Sequence, residues 1–291
     1  MSLIVTGATG ALGRLTVENL LERGVPAGEI VATGRSVQRL KDLAERGVQV
    51  RTADYADPDT LRAAFAGASR LLLVSGSQPG PQRVRQHANA IEAAREAGTE
   101  LVAYTSIVNA DTSTLRMAED HRATESLLRD SGVPFALLRN SWYMENYTAH
   151  LAASLGQGAV YGSAGKGRVS AATRADFAGA AATVLSTGAH ENRAYELGGD
   201  EAFTLAELAA EITAQSGTQV SYVDLPEQEY ARALAAIGLP PLVADILADA
   251  DQGLSRGELF TSSGDLSRLL GRPATPLAEA IADAVRMSGA S

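Results

Sequence analysis

Cysteine is wholly absent from the 291 residues, which excludes disulfides, thiolate catalysis and cysteine-ligated metal. Histidine is scarce: His87, His121, His150 and His190 are dispersed, without metal-ligand spacing, so no metal is expected. Basic charge is in deficit. Twenty-five Lys and Arg against 34 Asp and Glu leave a net charge of −9, and no basic stripe breaks the pattern. Nucleic acid and anionic membranes are therefore poor partners. No apolar run approaches the ~18 residues a membrane span needs, and no charged-then-apolar leader is present. The expectation is a soluble cytoplasmic protein. No G-x-x-x-x-G-K-[S/T] loop exists for nucleotide hydrolysis. Gly76-Ser77-Gln78-Pro79-Gly80 misplaces its serine for a nucleophile elbow, so a serine triad is not supported.

What remains is ordinary globular material, 45% apolar and 20% charged, enough for a real core. Its most informative stretch is the start. Leu3-Ile4-Val5-Thr6 runs into Gly7-Ala8-Thr9-Gly10-Ala11-Leu12-Gly13, and the amphipathic stretch Arg14–Arg23 follows. A strand, a G-x-x-G-x-x-G turn and a helix N-terminus together make a phosphate cradle. Gly7 permits the tight turn, Gly10 admits a pyrophosphate, and Gly13 lets the helix close on the sheet. The segment Gly7, Ala8, Thr9, Gly10, Ala11 and Leu12 is expected to wrap a dinucleotide.

Further β-rich runs at Glu29–Thr33, Val48–Thr52, Arg70–Val74, Leu101–Thr105 and Phe135–Arg139 alternate with amphipathic stretches near Val37–Arg46, Asp59–Ala66, Arg83–Ala97 and Met117–Ser131. That alternation predicts an α/β fold with a doubly wound parallel (Rossmann) sheet. Gly24, Gly47, Gly98 and Gly132 fall where helices end, and Asp57-Pro58 reads as an N-cap followed by proline at the first helical position. From about Tyr143 helical stretches dominate: Thr204–Gln215, Glu227–Ala236, Pro241–Ala250 and Leu277–Val285, with short apolar runs at Arg193–Leu197 and Gln219–Val223. The expected organisation is a cofactor domain over residues 1–142 and a smaller, mainly helical capping lobe over residues 143–291, interleaved with it.

The second strand ends Ala32-Thr33-Gly34-Arg35-Ser36, with no acid between Glu29 and Asp42. Arg35 therefore stands where an NAD-binding carboxylate would, and its guanidinium fork matches a 2′-phosphate, the alternative being a solvated arginine at a helix start. NADPH is the expected cofactor, with NADH tolerated. Asp54 and the Ser75-Gly76-Ser77 stretch follow the third and fourth strands, where ligands sit in such sheets; Asp54 could equally begin a turn.

Strand-G-x-x-G-x-x-G-helix, Arg35, Ala53-Asp54-Tyr55, Tyr104-Thr105-Ser106 and Leu138-Arg139-Asn140 resemble the atypical short-chain dehydrogenase/reductase superfamily in its NmrA-like branch. The stretch from Leu137 to Tyr147, with Ser170–Asp176, Ala110–Ser113 and Tyr195–Asp200, resembles bacterial flavin-free quinone oxidoreductases and the related triphenylmethane dye reductases. The wider superfamily carries a Tyr-x-x-x-Lys pair with a Glu four residues beyond the Lys. Glu125 fits that glutamate, which puts His121 at the lysine position and Met117 at the tyrosine position. No phenol is left there to protonate an alkoxide, so carbonyl–alcohol interconversion by the usual route is not expected.

The resemblance implies NADPH-dependent reduction of a quinone without flavin or metal, in a protein working as a monomer or homodimer. A redox sensor that binds the dinucleotide without turnover is the rival, and a dye reductase a variant. On the enzyme reading the catalytic residues are His121, Asn140 and Tyr143: His121 holds the nicotinamide ribose and relays a proton, a helix-surface histidine being the alternative, and Asn140 holds the nicotinamide or a substrate carbonyl, while Thr105 and Ser106 face the nicotinamide or only finish a strand. Trp142, Tyr143 and Met144 form a wall for a flat substrate, core packing being the alternative for Trp142. Arg174 and Asp176 are expected to pair structurally.

Overall fold

Short buried strands joined by amphipathic stretches satisfy their backbones by lying parallel, with helices crossing between them. The computed structural model describes residues 2–288 in that arrangement. Its strands are β1 (Leu3–Val5), β2 (Ile30–Gly34), β3 (Gln49–Thr52), β4 (Arg70–Leu73), β5 (Leu101–Ile107), β6 (Phe135–Asn140), β7 (Ala159–Gly162), β8 (Arg193–Leu197) and β9 (Ser221–Asp224). Seven form one parallel sheet in the order β3-β2-β1-β4-β5-β6-β8, a doubly wound Rossmann sheet. The order reverses at β1, which pairs with β2 on one side and β4 on the other. A crevice opens at such a switch point, beyond the strands' carboxyl ends.

The helices between the first six strands are α1 (Ala11–Glu22), α2 (Lys41–Glu45), α3 (Pro58–Phe65), α4 (Pro81–Glu96) and α5 (Arg116–Asp130). The stretch Val37–Arg46 splits into a 3-10 turn (Val37–Leu40) and the short α2, because only Leu40 and Leu43 of it are buried and no side chain caps either piece. Asp57 caps α3 as expected, its carboxylate accepting from the Asp59 and Thr60 N–H groups. Alternation along β1 feeds both layers of core. Leu3 and Val5 join Leu20, Leu72 and Phe177 on one face, and Ile4 joins Phe65, Leu71 and Tyr104 on the other.

Beyond residue 142 come α6 (Glu145–Thr148), α7 (Leu151–Gln157), α8 (Arg174–Ser186), α9 (Leu205–Ser216), α10 (Glu227–Ala236), α11 (Pro241–Ser255), α12 (Asp265–Leu270) and α13 (Leu277–Ser288). The break at residue 142 is one of chain order more than of space. The run Arg193–Leu197 returns as β8, the seventh strand, in register with Ala136–Asn140 of β6. Helix α8 packs on α1 with nearly every residue from Asp176 to Leu185 buried, and it has no room at Gly179, where a Cβ would lie 2.7 Å from Leu270. Helix α12 joins the main core against α8 and β8, while α7, α9, α11 and α13 build a second core around the parallel pair β7–β9, centred on Leu115, Phe203, Leu208, Leu254 and Ile281. Among the described residues no helix is long and apolar enough to cross a membrane.

Candidate functional site

The crevice at the β1 switch point holds a groove of about 290 Å³. Its floor is the glycine turn. Gly7 takes φ +62°, and the Gly10 N–H closes the turn on the Gly7 carbonyl at 2.9 Å. At Gly13 a Cβ would lie 2.6 Å from that same carbonyl oxygen, so α1 can seat on the turn only with glycine there. Gly10 caps α1 without any side-chain cap, which leaves the first-turn N–H groups to a ligand. A Cβ at Gly34 would strike Thr9 at 2.7 Å, so the end of β2 must also be bare.

The walls come from the strand ends. Gly7, Thr9, Gly10, Arg35, Asp54, Ser75, Gly76 and Ser77 line the groove together, although seventy residues of chain separate the first from the last. No carboxylate among the described residues pairs with Arg35. The hydroxyl of Thr33, buried in the groove wall, has no protein partner. A buried orphan hydroxyl is costly unless a ligand or water completes it. That orphan, the side-chain-free cradle and the uncapped helix start fit a dinucleotide. Asp54 spends one oxygen on the Ala56 N–H at 2.9 Å, as a turn residue does.

Several expected contacts turn elsewhere. Ala8 donates its N–H to the Thr33 carbonyl at 2.9 Å and is fully buried, so it stitches the turn to β2 and touches no groove. The Leu12 side chain points into the core beneath α1 and Ala11 is exposed at the helix start, so what these two can offer a ligand is their backbone N–H groups in the uncapped first turn of α1. Thr105 sits behind the wall, accepting the Ser75 N–H at 2.8 Å. Ser106 donates to Glu125 at 2.6 Å, inside a buried network in which Arg139 also binds Glu125 (2.6 Å) and Glu196 (2.9 Å). Its hydroxyl is therefore committed to holding β5 to α5. Arg174 and Asp176 do not pair: Arg174 reaches Glu145 and lies 4.6 Å over the Tyr143 ring, while Asp176 takes Arg272 at 2.8 Å.

His121 needs the plainest correction. Its Nδ1 meets the Tyr104 hydroxyl at 2.8 Å beneath β5. Burial, reinforced by the Arg83 charge, pushes its pKa down to about 3, so near neutrality the ring is uncharged and is not the imidazolium a proton relay would start from. Met144 is 2% exposed in the second core and lines a small cavity of about 100 Å³ with Ala171, Phe203 and Pro276, apart from the residues of the switch-point groove. Trp142 is half-buried against that cluster.

Asn140 and Tyr143 do come together. Asn140 ends β6 with its Oδ1 buried and unpartnered. Its amide faces the Tyr143 hydroxyl, whose pKa burial raises and that amide partly lowers. The segment 142–144 is pinned by an isolated bridge, since Ala172 donates to the Trp142 carbonyl and accepts from the Met144 N–H. Tyr55 was only half visible from the sequence. Its hydroxyl bonds Thr6 and donates to the Val74 carbonyl at 2.8 Å, bridging the ends of β1 and β4 under the groove. Gln86 reaches the groove from α4, and no local pattern marks it. No group of three potential metal ligands occurs among the described residues.

Known proteins share this layout. Residues 7–188 match a family described as NAD(P)H-binding. Quinone oxidoreductase 2 of Escherichia coli (strain K12) is 50% identical over 277 residues, covering 95% of this chain and 96% of that protein. The crystal structure of an Escherichia coli NADPH-dependent quinone oxidoreductase complexed with NADPH superposes with a TM-score of 0.94, at 50% identity over 97% of this chain and 99% of that one. Triphenylmethane reductase of Citrobacter sp., complexed with NADP(H), gives a TM-score of 0.93 at 40% identity, over 97% of this chain and 100% of that one. With the glycine cradle, the switch-point groove and these likenesses, the chain belongs to the NAD(P)H-binding family, in the NmrA-like branch of the atypical short-chain dehydrogenase/reductases.

Proposed function

We propose that this protein reduces quinones with NADPH, by direct transfer to a flat acceptor and without flavin. The observation that carries the reading is the 50% identity, across 95% of the chain, to a quinone oxidoreductase. When bound, the cofactor supplies the hydride. The chain's part is to bind, orient and hold protons. Arg35 offers the 2′-phosphate a planar two-donor fork, which favours NADPH over NADH while leaving NADH usable. The first turn of α1 offers its N–H groups to the pyrophosphate.

The acceptor side rests on Asn140 and Tyr143. The free Asn140 Oδ1 takes a donor from the nicotinamide amide, while its amide group keeps Tyr143 in place. Burial keeps the Tyr143 hydroxyl protonated, so it donates a hydrogen bond to the oxygen that gains charge. A quinone needs no more than this. One hydride converts it to a delocalised phenolate-type anion, far less basic than an alkoxide, and one proton from solvent completes the hydroquinone. Alignment of the reacting atoms supplies the rest, up to about 7–11 kcal/mol. The half-buried Met117 at the superfamily's tyrosine position fits a reaction with no strong acid at that place.

The test is NADPH oxidation by purified, flavin-free protein with a benzoquinone or naphthoquinone added. Turnover well above the uncatalysed rate supports the reading. Tight NADPH binding with oxidation no faster than without protein would make this a redox sensor. The 40% identity to a triphenylmethane reductase favours a second acceptor class, and a triphenylmethane dye in the same assay tests it.

A further inference from the structure

The wall of the groove formed by Ser75, Gly76, Ser77 and Gln78 lies in a segment without helix or strand. Such a segment has no ladder to satisfy its backbone. Here side chains from three other elements do so. The Gly76 N–H donates to His87 Nε2 at 2.9 Å, and the Ser75 N–H to Thr105 Oγ1 at 2.8 Å. Arg83 Nε donates to the Gln78 carbonyl at 3.1 Å, and the Gly80 N–H donates to Asp120 at 2.6 Å. Arg83 and Asp120 are themselves an ion pair at 3.5 Å, both nearly buried.

His87 is the fully buried member of this scaffold. Its protonation is fixed from both ends. The Thr124 hydroxyl, 2.9 Å from Nδ1, donates its own proton to the Asp120 carbonyl at 2.9 Å, so it accepts from Nδ1–H. Nε2 is left as a lone pair, which is what the Gly76 N–H requires. The imidazole stands directly behind the wall, 3.6 Å from where a Gly76 Cβ would be. Tyr55 and Tyr104 hold it edge-on, with ring centroids at 6.0 and 5.4 Å.

We propose that His87, as the neutral Nδ1–H tautomer, is a positioning residue for the nicotinamide cofactor: it holds Gly76, and with it the Ser75–Gln78 wall, in the arrangement that receives the cofactor. The proposal rests on the groove being the NADPH site. Without the Nε2 acceptor the Gly76 N–H must turn out to water, and the wall is held for only part of the time. Apparent affinity falls in proportion to the competent fraction.

Two measurements decide it. In nitrogen-15-labelled protein without cofactor, a through-hydrogen-bond coupling between the Gly76 amide and His87 Nε2 is expected. A protonated Nε2 or no coupling overturns the proposal whatever the variants do. In NADPH titrations, His87→Leu should raise Kd roughly tenfold, the scale of one lost buried hydrogen bond, with kcat at saturating NADPH changing far less. His87→Gln, whose side-chain oxygen can accept the same N–H, should stay within about threefold of wild type. His190→Leu is the control, removing a histidine that is likewise bonded to a threonine hydroxyl, and in its case to Tyr195, but stands away from the groove; it should leave Kd unchanged. Equal affinity in His87→Leu and wild type, or equal losses in His87→Leu and His87→Gln, overturns the proposal. Failure of the wild type to bind NADPH at all overturns both it and the cofactor reading, while the amide coupling still reports on the hydrogen bond.

Discussion

Asp251 stands on α11 in the second core, 6% exposed, with one carboxylate oxygen accepting the Ser163 N–H at 2.8 Å. Tyr147, Tyr222, Tyr230 and Asp224 surround it, and none supplies a positive charge. Burial raises its pKa from 3.8 to about 7, opposed by the Ser163 hydrogen bond and reinforced by Asp224. The folded state therefore binds this proton more tightly than the unfolded chain does. The stability it confers is complete below the unfolded value and is lost as pH rises through about 7. Each tenfold change in proton binding is worth about 1.4 kcal/mol, so the full penalty for ionising Asp251 in the fold is about 4 kcal/mol. Asp251→Asn keeps an oxygen acceptor for Ser163 and removes the charge. Its stability relative to wild type should grow from near zero at about pH 4 to about 2–4 kcal/mol at about pH 8, or several degrees in Tm. Urea titrations of both proteins across that range read the difference directly. A difference that stays constant with pH would refute the reasoning.

Three other perturbations test the site and its supports. Arg35→Ala should weaken NADPH about 10–100-fold, the scale of charged hydrogen bonds, and NADH far less; equal losses in fluorescence titrations would remove the phosphate role. Gly13→Ala forces a Cβ within 2.6 Å of the Gly7 carbonyl, so NADPH binding should collapse while the second core, followed by tryptophan fluorescence from Trp142, persists. Arg139→Met takes two hydrogen bonds from the fully buried Glu125, which keeps Arg129 and Ser106, and should cost about 2–3 kcal/mol in chemical denaturation, with a Glu125→Gln second change restoring part of it.

The first six strands were legible within one or two residues because each is a short apolar run between turn residues, and turn chemistry marks both ends. Helix α8 was not, since burial on all sides erases the amphipathic period that reveals a helix. Strand β7 was missed for a related reason: only Val160 and Tyr161 in it favour a strand, and its partner lies far away in β9. The glycine turn and Arg35 were readable because the backbone itself makes the cradle. Side-chain direction was not. Ala8 and Leu12 belong to the motif by position yet point inward, and the lysine-like placing of His121 could not reveal that its ring bonds Tyr104 of β5. Gln86 and His87 lie in the middle of an ordinary amphipathic helix, and only the folded crevice brings them to the wall.

The return of β8 to the main sheet also bears on synthesis. When the ribosome has delivered residues up to Asn140, the outer edge of β6 still lacks the strand that covers it, and the α1 surface that α8 will bury is bare. An open, apolar sheet edge invites pairing with another chain. The nascent protein therefore passes through an adhesive interval that ends only when Arg193–Leu197 emerges, and a chain cut at residue 142 never leaves it. Such a fragment should precipitate, whereas in the full chain β8 becomes the edge and its Glu196 N–H and carbonyl are taken by Asp265 and Ser263.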